Sequence, residues 1–121
     1  MLEIVNKSNG VVIADKAVLR KDVFFKTKGL MFSKPLKNGQ ALILEATEES
    51  ISGSTIHMLF VFFKIDVIWL DQEKKVVDIK YGVRAFTPSI SPREPAKYII
   101  EVKKNTAKNI QIGDEIEFRE Q

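Results

Sequence analysis

The chain has no cysteine and a single histidine, His57, among its 121 residues. The first absence excludes disulfides, thiol nucleophiles and every cysteine-ligated metal site. The second excludes a cage of several histidines, and any Ser-His-Asp relay has to run through His57. Charge is nearly balanced: 19 Lys+Arg against 16 Asp+Glu leaves +3. That gives little non-specific pull on nucleic acid. Long apolar runs are also lacking. The most apolar stretch, residues 56–70, is interrupted by His57, Lys64 and Asp66, and is too short and too charged to cross a bilayer. Met1 to Ile4 carries no basic region and no apolar stretch, so no signal peptide is expected. A soluble cytoplasmic protein without membrane contact is the expectation. There is no repeat, low-complexity tract or linker, and 45% of residues are hydrophobic. One domain spanning residues 1–121 is therefore expected, with enough chain to bury a core unaided.

Strand-period alternation covers most of the sequence. Leu2 and Ile4 precede Ser8-Asn9-Gly10, and Val11-Val12-Ile13 follow, which is a hairpin signal. Ala41 to Leu44 reads as a short buried strand. Residues 56–63 are apolar on both alternating faces, as in a central strand. Residues 65–70 and 75–80 flank the turn at Asp71 to Lys74 as a meander pair. Residues 97–103 and 115–118 complete the series. Helix is sparse: two turns over residues 21–28, with Asp22 near one end, Lys26 and Lys28 near the other and Gly29 as the C-cap, and a short turn over 106–110. The expected fold is α+β, mostly β: a compact, partly closed, antiparallel-rich barrel of seven or eight strands with one or two short helices. The one long irregular segment, residues 82–95, holds Pro88, Pro92 and Pro95 and is a natural place for function.

An ordered series runs through these elements: Gly29-Leu30-Met31, Gly39 before an apolar strand, Ile65-Asp66-Val67-Ile68-Trp69-Leu70-Asp71, Ser91, Pro95-Ala96-Lys97-Tyr98-Ile99-Ile100-Glu101-Val102 and Ile110-Gln111-Ile112-Gly113-Asp114. In order and spacing it resembles the DUF192 family, also called UPF0127, from about Val11 to Phe118. Bacterial members usually carry Trp-Met-Lys-Asn-Thr where this chain has His57-Met58-Leu59-Phe60-Val61, so only the methionine persists. A proline common before the Leu-Asp pair is Lys64 here. The resemblance implies a small β-rich domain and carries no established activity.

Asp66 stands between Ile65 and Val67, where an ionised carboxylate is costly unless it is paired or hydrogen-bonded. It either ties down backbone amides, pairs with Arg20, Lys28 or Arg84, or serves a ligand as acid, base or polar contact. His57 alternates out of phase with Ile56 and Met58 and faces solvent or a pocket, where an imidazole could serve as a base. Phe60, Phe62, Phe63, Trp69 and Phe86 read chiefly as core filling, with Trp69 the first choice for stacking on a sugar or base. Gly29-Leu30-Met31 reads as a helix stop, since no phosphate-loop pattern surrounds it. Residues 16–37 hold Lys16, Arg20, Lys21, Lys26, Lys28, Lys34 and Lys37 against the single acid Asp22, with Phe24, Phe25 and Phe32 interleaved.

No complete catalytic set, metal set or cofactor motif is visible, so no catalytic residue, metal or cofactor is assigned. The leading reading is a non-catalytic binding module for a small polar ligand, a carbohydrate or a peptide. Its contacts would be Gly29, Met31, His57, Asp66, Trp69 and Ser91. A hydrolase or isomerase using Asp66 and His57 is the alternative from another class. Nucleic-acid binding through residues 16–37 is the third.

Overall fold

The computed structural model describes residues 1–21, 29–31 and 33–121. Seven strands form one curled sheet: β1 (Leu2–Asn6), β2 (Val11–Arg20), β3 (Gln40–Ser50), β4 (Ile65–Leu70), β5 (Val76–Val83), β6 (Ala96–Lys103) and β7 (Ile116–Glu120), in the order β5-β4-β6-β3-β2-β1-β7. The strands arise where the alternation places them. The first hairpin turns at Gly10, whose φ of 75° suits glycine, while the Asn9 side chain accepts from Val11 N at 2.9 Å. The β4–β5 turn is pinned by Asp71, whose carboxylate accepts from Glu73 N and Lys75 N, both at 2.9 Å. All six residues of β4 are buried. A strand covered on both faces reads as one continuous apolar run, which is why Asp66 stands out within it.

The sheet is antiparallel except between β2 and β3, which run parallel with Lys16 opposite Gln40. Its edges meet at one end. Lys75 bridges Glu115, Val76 N donates to Asp114 O at 2.9 Å and Ile116 N to Lys74 O at 2.9 Å, so the outermost strands β5 and β7 touch there. The result is the partly closed, antiparallel-rich barrel expected from the alternation.

Two clusters pack on the two faces. Every strand contributes to the one inside the curl, through residues such as Ile4, Ala14, Ile43, Ile68, Val76, Ile100 and Ile116. On the outer face, Leu44, Val67, Trp69 and Ile99 are covered by Leu30, Ile56, Met58, Val61 and Ile90 from the loops. Those loops correct one expectation. Residues 56–63 do not form a strand: beyond an isolated bridge between Ile56 and Ile90 the segment turns. Phe60 has a φ of 57°, and Met58 O accepts from both Val61 N and Phe86 N. The apolar residues on both faces are explained by the segment lying over the sheet as a lid rather than pairing within it. The helix expected over residues 21–28 falls, from 22 onward, outside the described residues. The second short turn is a 3-10 helix over Thr106–Asn109.

Gly39 shows why the β2–β3 approach needs glycine. Its φ is +85°, its carbonyl accepts from Asp15 N at 3.1 Å and Lys16 N at 2.8 Å, and a Cβ there would collide with the Asp15 carboxylate. Gly39→Ala is expected to lower unfolding stability by about 1–2 kcal/mol, mainly from the left-handed backbone. A urea midpoint identical to that of the parent would contradict this.

Candidate functional site

Asp66 lies on the inner face of β4, 1% exposed. One carboxylate oxygen accepts from Gly82 N at 2.9 Å, the other from Ala107 N at 3.0 Å. It therefore holds the end of β5 and the 3-10 turn against the sheet, which is the amide-tying role among the readings of this residue. Asp78 does similar work on β5, accepting from Arg93 N at 2.9 Å with the Arg93 guanidinium 3.4 Å away. It was not singled out from the sequence, although it stands between Val77 and Ile79.

The other sequence candidates do not converge on Asp66. His57 is half-buried in the covering loop of the outer face, its Nδ1 accepting from Leu59 N at 3.1 Å. Trp69 is fully buried on the outer face, its indole N–H donating to Ser54 O at 2.8 Å. Ser91 is exposed, its hydroxyl 2.9 Å from that of Thr55. The aromatic residues divide in a way the sequence did not indicate. Phe60, Phe62 and Phe86 are exposed, with Phe86 edge-on to Phe60 and to Phe62 at centroid distances of 6.1 and 5.0 Å. Among the described residues, no group of three or more His, Cys, Asp or Glu side chains is placed to hold a metal ion.

The most unusual polar group is one the sequence reading passed over. Glu101 on β6 is 3% exposed, and its Oε1 is buried with no hydrogen-bond partner among the described residues. It lies opposite Leu42 of β3 and Val67 of β4, the side of the sheet that carries the outer cluster. Burial pushes its carboxyl up from 4.5 to about 7, because a low-dielectric site disfavours the charged form. A buried carboxyl oxygen left without a hydrogen bond is uncommon in a folded chain. The signal that marked Asp66 was available here too: Glu101 interrupts Ile99-Ile100-Glu101-Val102.

Gly29 is close to this carboxyl. A Cβ built on Gly29 would stand 3.8 Å from Glu101 Oε1, an ordinary van der Waals contact. Gly29 and Leu30 line a cleft of about 290 Å³ together with Leu36, Ala41 and Leu42, and Lys16 and Arg20 also border it. Met31 is half-buried in the same turn. Of the expected contacts, the structure thus brings Gly29 and its turn beside Glu101, and places Asp66 on the opposite face of the sheet. Of the basic segment, Lys16 and Lys21 are exposed on or beside β2, while Lys26 and Lys28 lie outside the described residues. No helix among the described residues is long and apolar enough to cross a membrane.

Comparison with known proteins adds the family. The DUF192 family, described as "Uncharacterized ACR", matches residues 5–118. A UPF0127 protein of Thermococcus kodakarensis is 35% identical over 81% of this chain, a match that spans only 60% of that relative's length. One from Pyrococcus abyssi is 33% identical over 95% of this chain and 96% of the relative. Two solved structures share the fold. A protein of unknown function from Novosphingobium aromaticivorans has a TM-score of 0.82 at 20% identity, covering 96% of this chain and 82% of its own. A putative transcription regulator from Sinorhizobium meliloti has a TM-score of 0.83 at 19% identity, covering 97% and 91%. With a family match across nearly the whole sequence and relatives above 30% identity, the chain belongs to the uncharacterised DUF192 (UPF0127) family.

Proposed function

We propose that the chain is a non-catalytic binding module for a small polar ligand, a carbohydrate or a short peptide, seated in the cleft beside the 29–31 turn. One observation carries the reading: Glu101 keeps a buried oxygen without a partner next to the side-chain-free Gly29. A buried acceptor left open costs about 1–3 kcal/mol, and a ligand hydroxyl or amine that reached it would recover much of that. The apolar residues Leu30, Leu36 and Leu42 would cover the ligand's carbon skeleton. The acid–base alternative has less support. Both Asp66 oxygens are engaged by backbone amides on the inner face, whereas His57 belongs to the loop over the outer face.

The test is a thermal-shift screen of simple sugars and of di- and tripeptides against the parent and Glu101→Gln. At least one compound should raise the melting temperature of the parent saturably and bind Glu101→Gln roughly tenfold more weakly, the worth of one net hydrogen bond. No stabilisation by any compound, or equal stabilisation of both proteins, overturns the reading.

A further inference from the structure

A second cleft, on the other side of Leu36, has different chemistry. Its volume is about 370 Å³, and it is lined by Pro35, Leu36, Phe63, Lys64, Lys103 and Lys104. That volume is in the range of roughly 300–1,000 Å³ typical of small-molecule sites. We propose that this cleft binds a small amphipathic organic anion, its apolar part against Phe63 and Leu36 and its acidic group among Lys64, Lys103 and Lys104.

The three lysines meet there because of strand register. Ile65 begins β4 and stands opposite Lys103, which ends its antiparallel neighbour β6. Lys64, just before β4, and Lys104, just after β6, must therefore leave the sheet at the same end. None of the three forms an ion pair with a described residue; the ion pairs between described residues join Lys21 and Lys97 to Glu45, Arg93 to Asp78 and Arg119 to Glu117. Three like charges at one rim repel one another, and a bound anion relieves that repulsion. Of the acids nearest in sequence, Asp66 has both oxygens engaged by backbone amides and Glu101 is buried, and neither forms an ion pair with these lysines.

The floor is equally suited. Phe63 is half-buried and packs against the outer cluster, so the ring is anchored while it lines the cleft. Leu36 is held in the same way. Lys64 and Lys104 are exposed and Lys103 half-buried, so their stems can add apolar wall while the ammonium groups stay hydrated. A bare phosphate would use only the rim, and a neutral hydrocarbon only the floor. The pairing of the two selects a ligand having both. The exposed cluster of Phe60, Phe62 and Phe86 neighbours this cleft but does not line it, so the two can be separated by substitution.

The probe is anilinonaphthalene sulfonate, an aromatic sulfonate that fluoresces on entering an apolar site, titrated against the full chain. One saturable site is expected, weakened about tenfold between about 50 and about 500 mM sodium chloride. Lys103→Gln/Lys104→Gln should weaken it about tenfold or more, Lys64→Gln severalfold, and Phe62→Ser by less than about twofold. The neutral analogue phenylnaphthylamine should bind the parent about tenfold more weakly. Circular dichroism establishes that each variant is folded, and Lys64→Gln alone serves if the double variant is not. Unchanged affinity in the lysine variants, equal binding of the neutral analogue, or loss of binding in Phe62→Ser overturns the proposal. Vesicles of phosphatidylglycerol and phosphatidylcholine separate a free organic acid from a lipid. No co-sedimentation is expected, and co-sedimentation abolished by Phe62→Ser would assign the surface to a membrane and overturn the small-molecule site.

Discussion

Asp66→Ala is expected to cost about 3–4 kcal/mol of unfolding free energy, measured in urea. The carboxylate accepts from two backbone amides that belong to different parts of the chain, Gly82 in β5 and Ala107 in the 3-10 turn. Without it both amides lose their partner beneath the sheet, and each buried donor left open costs about 1–3 kcal/mol. Asp66→Asn keeps one carbonyl acceptor but turns an NH2 group toward the second amide, so it should recover only part of the loss. Hydrogen exchange localises the effect: the amides of residues 82 and 107 should exchange much faster in the variant while those of β1 and β7 change little. A loss below about 1 kcal/mol would mean that Asp66 does not hold these segments in place.

Glu101 makes the opposite prediction, with a definite pH window. Its folded carboxyl is raised to about 7 from an ordinary 4.5. The folded chain therefore retains a proton that the unfolded chain has already released between those two values. Stability from this group is full below about pH 4.5, falls as pH rises toward 7, and is flat above. The gap corresponds to about 3 kcal/mol. Glu101→Gln, which cannot ionise, should be more stable than the parent at about pH 8 by up to that amount and should lose the advantage near pH 5. Urea unfolding of both proteins across this interval reads the difference directly. Parallel pH profiles would show that the Glu101 carboxyl titrates as it would in water.

The contrast between these two acids shows what the sequence could reveal. Each interrupts an apolar run, so burial was legible for both, but whether each finds a partner was not. Asp66 meets two amides because β5 and the 3-10 turn reach back to it from residues 82 and 107, a tertiary fact with no local signature. Glu101 leaves Oε1 without a hydrogen bond among the described residues, because Leu42 and Val67, its register partners on β3 and β4, are apolar and Gly29 brings no side chain toward it. The β4–β5 pair was readable because the turn at Asp71 to Lys74 separates two short apolar runs. The reading failed at residues 56–63, where both alternating faces are apolar and the period no longer distinguishes a paired strand from a covering loop. Phe60 and Phe86 enter the left-handed region with φ of 57° and 63°, which nothing in an aromatic side chain announces. The lysine-rimmed cleft needed the Ile65–Lys103 register to be visible at all.

The pairing of β1 with β7 runs through their full lengths, from Leu2 opposite Glu120 to Asn6 opposite Ile116. A ribosome makes one of these strands near the start of the 121 residues and the other near the end. Until the later strand emerges, the first hairpin waits with one flank of amides and carbonyls open, a template for stray chains. Closing so distant a seam also delays folding, because the loop must be gathered before its contacts can stabilise it. The edge of β1 is therefore covered only once residues 116–120 are in place, which makes that seam the last of the sheet's pairings to be completed as the chain grows.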